Sequence, residues 1–121
     1  MSDDKTTIAD LRTIMKEFIA EREWQKYHTP RNLACSISIE AAELLEHFQW
    51  AETNEVLERL KTDAAYRRHV SEEMADVLLY LMSLANALDL DVSATVDARM
   101  AKNRAKYPAD QVRGHYQRPL R

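Results

Sequence analysis

One glycine, Gly114, serves the whole 121-residue chain, and it lies near the C-terminus. Sandwiches and barrels need many tight turns with positive φ, and a single glycine cannot supply them. Only three prolines are present, so few helix interiors are interrupted. A glycine-rich phosphate loop is excluded by the same count, so any phosphate must be held through a metal or side chains. This scarcity of turn residues selects an all-α fold.

The remaining composition narrows the class. Hydrophobic residues make up 45% and charged residues 31%, too apolar for disorder and too polar for a membrane protein. The length suits one core. A net charge of −3 is not the basic balance of a general nucleic-acid binder. The longest apolar stretch, residues 77–88, is broken by Ser83 and Asn86 and is too short to span a bilayer. Cys35 is the single cysteine; it allows no internal disulfide and is expected as a small buried residue. Residues 1–7 are polar and acidic, unlike a signal peptide. A cytoplasmic protein is expected, with neither nucleic acid nor membrane as partner.

Four main helices follow from periodicity. The first runs over about residues 7–22, with Ile8, Leu11, Met15, Phe18 and Ile19 at helical spacing and a Thr7–Asp10 capping arrangement. The second starts at Thr29-Pro30 and reaches about Trp50. A charged connection includes a short helical piece that Asn54 could cap. The third covers about residues 64–88, with an apolar stripe of Val70, Met74, Val77, Leu78, Leu81 and Leu88. Ser93 or Asp91 caps the fourth, which ends before Pro108 and turns Val92, Val96, Met100 and Tyr107 inward. The expected architecture is an all-α four-helix bundle with a short extra helical segment. Residues 1–108 form the domain, and residues 109–121, with Arg113, Arg118 and Arg121, a flexible tail.

Acidic residues stand where such a bundle wants apolar ones. On the second helix, Glu40, Glu43 and His47 are spaced i, i+3, i+7 beside the stripe of Leu33, Ile37, Leu44 and Phe48. On the third, Glu73, Asp76 and Tyr80 repeat that spacing, while Glu72 points away to the surface. Carboxylates facing one another repel, and partial burial adds a desolvation cost of about several kcal/mol per ion. They must take up protons, pair with bases or bind a cation. Hard oxygen ligands without cysteine suit Mg²⁺ or Mn²⁺ better than zinc. Mg²⁺ commonly takes substrate phosphates as further ligands, which makes a nucleotide polyphosphate a natural substrate. A lone Glu-x-x-Glu ordinarily marks a solvated face. Two such acidic pairs, each bordering an apolar stripe, tilt the reading toward a metal site.

These residues resemble a known family. Glu40-x-x-Glu43 followed by Glu73-x-x-Asp76 looks like the motif of the all-α nucleoside triphosphate pyrophosphohydrolases of MazG type. Residues 23–33 (EWQKYHTPRNL) and 43–50 (ELLEHFQW) are similar to segments of its dCTP pyrophosphatase-like branch. So are residues 72–81 (EEMADVLLYL) and 102–108 (KNRAKYP). The resemblance covers roughly residues 8–108, and the ordered set is more specific than any one motif.

The resemblance implies magnesium-dependent hydrolysis of a nucleoside triphosphate between its α and β phosphates. The products are a monophosphate and pyrophosphate. The branch prefers pyrimidine deoxynucleotides, modified cytosines included, and cleans the nucleotide pool. Glu40, Glu43, Glu73 and Asp76 match the family's metal ligands. Glu46 matches a further acid, although a surface position is equally compatible. Lys102, Asn103 and Lys106 match a closing-helix motif and would hold phosphate charge. Trp24, His28, Trp50 and Tyr80 are base-pocket candidates, with Phe48 and Asn32 weaker ones, and His47 could support a carboxylate. Family members build the site where subunits pack, so a dimer or dimer of dimers is expected.

Two competitors remain. Di-iron bundles use paired Glu-x-x-His motifs, and here Glu46 and Asp76 stand three residues after Glu43 and Glu73. A non-catalytic helical module that binds a nucleotide or a protein partner is disfavoured by the complete acidic set.

Overall fold

The computed structural model describes residues 1–115, so Arg118 and Arg121 of the expected tail lie outside the described residues. Every regular element among them is helical: α1 (Ile8–Glu21), a 3-10 turn (Gln25–Tyr27), α2 (Pro30–Glu46), α3 (Thr53–Thr62), α4 (Ala64–Leu88), α5 (Val92–Lys106) and α6 (Ala109–Val112). The fold is all-α. No single helix among the described residues is long and apolar enough to cross a membrane.

Helix starts follow local chemistry. Thr7 and Asp10 form a reciprocal capping box at α1. Thr29 accepts from the Asn32 amide, and Pro30 occupies the first turn of α2. Asp63 and Asp91 cap α4 and α5 by accepting from Tyr66 and Ala94. At α3, Asn54 is not the cap: the helix begins one residue earlier and has no side-chain cap bond. Helix ends depend on contacts that a linear reading cannot show. α2 stops at Glu46 instead of reaching Trp50. The hydroxyl of Tyr66 donates to the His47 carbonyl (2.8 Å), and the Ala51 amide bonds Phe48 instead. Asp89, in the left-handed region (φ 52°), closes α4. The tail segment opens on the one-turn α6.

The chain divides into two compact units, Met1–Asp89 and Leu90–Arg121. In the first, α4 is the hub: α2 packs on it most extensively, then α1 and α3. The core holds Met15, Ile19, Leu33, Tyr66, Met82 and Ala85. The expected α4 stripe is therefore only partly correct. Val70 and Val77 are half-buried, but Met74, Leu78, Leu81 and Leu88 are exposed. α4 is apolar on two sides, and the side its neighbours cover carries Glu73, Tyr80 and Ser83. In the second unit, Val96 and Met100 are exposed, not inward, while Val92 and Tyr107 are half-buried.

A polar clamp joins α1 to α4. Arg12 Nε donates to Asn86 Oδ1 (2.9 Å), and Asn86 Nδ2 donates to the Arg12 carbonyl (3.0 Å). Asn86→Ala leaves both partners without these bonds. It is expected to cost about 1–2 kcal/mol, read as a lower midpoint in urea unfolding at an unchanged slope. An unchanged midpoint would show that the clamp contributes nothing.

Candidate active site

The packing of α2 on α4 sets carboxylates face to face. One oxygen from each of Glu40, Glu73 and Asp76 can lie within 4.8 Å of the others. Glu43 is not in that trio, yet its charge bears on both Glu40 and Glu73. All four predicted acids thus share one electrostatic neighbourhood. Glu40 Oε2 is buried and has no hydrogen-bond partner among the described residues. Burial, then the adjacent Glu43, then the charge of Asp76, push the Glu40 carboxyl up to about 7. Glu73 is also raised, first by burial and then by Glu43.

Among the described residues no base pairs with these acids. The ion pairs among the described residues are Arg22–Glu21, Arg59–Asp63 and Arg68–Glu72. Glu72 is spent on Arg68 at the surface, in keeping with its outward position on the helix wheel. A buried carboxylate oxygen without a donor is costly. An all-oxygen trio at this spacing fits a hard divalent cation.

Beside the carboxylates lies a cavity of about 370 Å³. Glu40 and Asp76 form its acidic end, and Trp24, His28, Tyr80 and Phe18 line the rest with Ile14, Met15 and Leu79. The size is that of a small-ligand site. Trp24 reaches it because Glu23 adopts a left-handed conformation (φ 52°) and folds the chain back. The Trp24 amide then bonds the Ile19 carbonyl (3.0 Å), and its indole meets Phe18 edge-on at 6.0 Å. The His28 ring stacks near Tyr80, at 6.4 Å and 26°.

The structure thus gathers Glu40, Glu43, Glu73, Asp76, Trp24, His28 and Tyr80. The remaining candidates have surroundings of their own. Trp50 is 90% exposed, in the turn after α2, and does not line the cavity. Lys102, Asn103 and Lys106 belong to α5 in the second unit. There Asn103 is half-buried with Nδ2 3.9 Å from Met100 Sδ, and Lys106 lies over Tyr107. Glu46 is exposed. His47 packs edge-on against Tyr66 and Phe48, not against a carboxylate. Asn32 donates to the Tyr27 carbonyl, and Cys35 is exposed, not buried. Sequence reasoning assigned Met15 and Phe18 to the core stripe of α1 and did not see them as cavity walls. The left-handed turn at Glu23, which the sequence does not announce, brings Trp24 onto that face.

The profile of the MazG-like family matches residues 35–117. The chain is 40% identical over 111 residues to dCTP pyrophosphatase 1 of Rattus norvegicus, covering 89% of this chain and 63% of that protein. It is 38% identical over 107 residues to dCTP pyrophosphatase 1 of Homo sapiens, covering 88% of this chain and 62% of that protein. The chain therefore spans less than two thirds of the length of these relatives. A pyrophosphatase structure from Archaeoglobus fulgidus is similar with a TM-score of 0.77 at 43% identity, over 89% of this chain and 98% of that one.

The raised Glu40 carboxyl sets a pH dependence. Between its ordinary 4.5 and about 7, the unfolded chain ionises Glu40 while the folded chain keeps it protonated. Stability without metal is therefore greatest below that window and falls as pH rises through it. In EDTA, Tm is expected to drop from about pH 5 to about pH 8, and Glu40→Gln to flatten the drop. Mg²⁺ should raise Tm more at the higher pH. A wild-type Tm that climbs through the window would contradict the clustering of these acids.

Proposed function

The chain belongs to the MazG-like family, and from that membership we propose that it is a Mg²⁺-dependent nucleoside triphosphate pyrophosphohydrolase. It cuts dCTP, or modified pyrimidine deoxynucleotides, between the α and β phosphates. The products are a nucleoside monophosphate and pyrophosphate, and the role is cleaning of the cytoplasmic nucleotide pool. The observation that carries this reading is the acidic trio, with a buried Glu40 oxygen that has no partner among the described residues, at the end of an aromatic cavity. The similarity to dCTP pyrophosphatases supports the same substrate class.

Glu40, Glu43, Glu73 and Asp76 hold the metal, with Mn²⁺ as the nearest substitute. When bound, magnesium supplies charge neutralisation at the phosphates and acidifies the attacking water. The protein's own part is to place and to exclude. Trp24 and Tyr80 offer flat faces for a base, and the apolar wall keeps bulk water from its edges. His28 contributes a polar group within that wall. A carboxylate of the cluster takes the proton of the attacking water. Lys102, Asn103 and Lys106 are assigned to phosphate charge, which grows on the pyrophosphate leaving group.

The working form is a homo-oligomer. Ile39, Leu45, Met74, Leu78 and Leu81 leave uncovered apolar surface on the two helices that carry the acids. Surface of this kind is suited to a second copy of the chain. The exposed Trp50 indole acts on substrate only when another copy completes the site.

Purified protein incubated with Mg²⁺ and a panel of deoxynucleotides is expected to release monophosphate and pyrophosphate, and to stop with EDTA. Glu43→Gln and Asp76→Asn should each lower kcat/KM by about a hundredfold or more without loss of helicity. Release of inorganic phosphate with a diphosphate would mean that the wrong bond is cut. Full activity in both variants would remove the metal assignment. Light scattering should report a dimer or tetramer, and Leu78→Glu should dissociate it; a monomeric wild type would overturn the oligomeric reading.

A further inference from the structure

Ser83 is the one polar residue in the buried core of the described chain, at 3% exposure. Other helical serines, Ser38 and Ser71, donate to the carbonyl four residues back. Ser83 instead has its oxygen 3.0 Å from His28 Nδ1. A buried hydroxyl proton needs an acceptor. Among the hydrogen bonds of the described residues, Nδ1 is the acceptor that Ser83 reaches. The direction of this bond depends on the His28 tautomer, and the need of the buried hydroxyl for an acceptor favours Ser83 as the donor. With Ser83 donating, Nδ1 would be the unprotonated ring nitrogen and the proton of the neutral imidazole would sit on Nε2.

The surroundings support a purpose for this arrangement. Asp76, Tyr80 and Ser83 are spaced i, i+4, i+7 and run along one line of α4. Asp76 stands at the acidic end of the cavity, Tyr80 forms its wall, and Ser83 sits one turn further on. The His28 ring lies along this line, near Tyr80 on its face and bound to Ser83 through one nitrogen. His28 lines the aromatic cavity, and its Nε2 has no hydrogen-bond partner among the described residues. Burial lowers the His28 pKa below its ordinary 6.5, so the neutral ring prevails at neutral pH and its tautomer decides what it offers.

We propose that Ser83 is a positioning residue for substrate recognition, holding His28 as the Nε2–H tautomer so that the aromatic cavity presents a hydrogen-bond donor. The complementary ligand is a nucleobase with a carbonyl oxygen or an unprotonated ring nitrogen on the edge it presents. This rests on the nucleotide reading of the cavity given above. A donor fixed in the wall discriminates because a mismatched base would leave it unpaired. Without Ser83 the ring could exchange tautomers and offer an acceptor for part of the time.

The test uses the full chain labelled with ¹⁵N at histidine, as wild type, Ser83→Ala and Ser83→Thr. Long-range ¹H–¹⁵N correlation at neutral pH reads the His28 tautomer directly. kcat and KM for dCTP with Mg²⁺ are measured in parallel. Wild type should show a pyridine-type Nδ1 and a pyrrole-type Nε2. Ser83→Ala should shift toward a tautomer mixture, raising KM about fivefold with kcat nearly unchanged. Ser83→Thr should restore both, because it keeps the hydroxyl at a position that borders a cavity of about 400 Å³. A wild-type ring protonated on Nδ1, or an unchanged tautomer in Ser83→Ala, overturns the inference whatever the activity. A shifted tautomer with an unchanged KM overturns the recognition role. Absence of deoxynucleotide turnover by wild type, with the spectra as expected, would overturn the function reading and the recognition role together, while upholding Ser83 as the group that positions the ring.

Discussion

The repulsion among four carboxylates at the α2–α4 contact is the constraint around which the first unit is arranged. These two helices make its most extensive contact, and apolar burial draws them together. The same approach forces Glu40, Glu73 and Asp76 into one another's field, with Glu43 alongside. A chain selected only for stability would replace such residues with apolar ones, because buried charges are seldom a net gain. The protein instead keeps Glu40 Oε2 buried, with no hydrogen-bond partner among the described residues. The cost is tolerable because helix caps, the Tyr66 hydroxyl bond and the Arg12–Asn86 clamp hold the surrounding frame. Strain of this sort is expected where a site awaits a ligand.

Much of this was legible in the sequence, for identifiable reasons. Helix starts are encoded locally, so Thr7, Thr29 and Asp91 mark them within a residue. The acids were visible because their i, i+3 spacing follows the helix itself and needs no tertiary information. Helix ends were less legible. The end of α2 depends on a hydroxyl nineteen residues away in sequence, and the chain reversal after α1 depends on a glutamate in the left-handed region. Glutamate rarely adopts that conformation, so nothing in the sequence pointed to Trp24 folding back over Phe18. The resemblance supplied Trp24 as a candidate, but not its neighbours in the wall.

The error on α4 is instructive in a different way. Periodicity finds an apolar stripe, but a hub helix has more than one. The line through Met74, Leu78 and Leu81 has the better hydrophobic pattern, and it is left exposed. The face that α1 and α2 cover mixes Met82 and Ala85 with Glu73, Tyr80 and Ser83. Hydropathy alone ranks those faces in the wrong order, because it reads a polar residue at a buried position as evidence of solvent. The same inversion explains why Ser83 and Asn86 look like interruptions of an apolar run. Each spends its polarity on one partner, His28 or Arg12.

One helix therefore does two jobs by offset rather than by length. Positions 73, 76, 80 and 83 of α4 advance along one side, and each is one turn from the next. The first two carry charge, the third an aromatic face and the fourth a buried hydroxyl. A rigid helix fixes the distances between these groups far better than a loop could. α1 and the 3-10 turn supply the opposing wall, where Trp24 and His28 are placed by backbone conformation and by Ser83. An elongated substrate with a charged end and a flat end matches that sequence of groups. A compact anion would use only the carboxylate end, through a cation, and would leave the aromatic wall without a purpose.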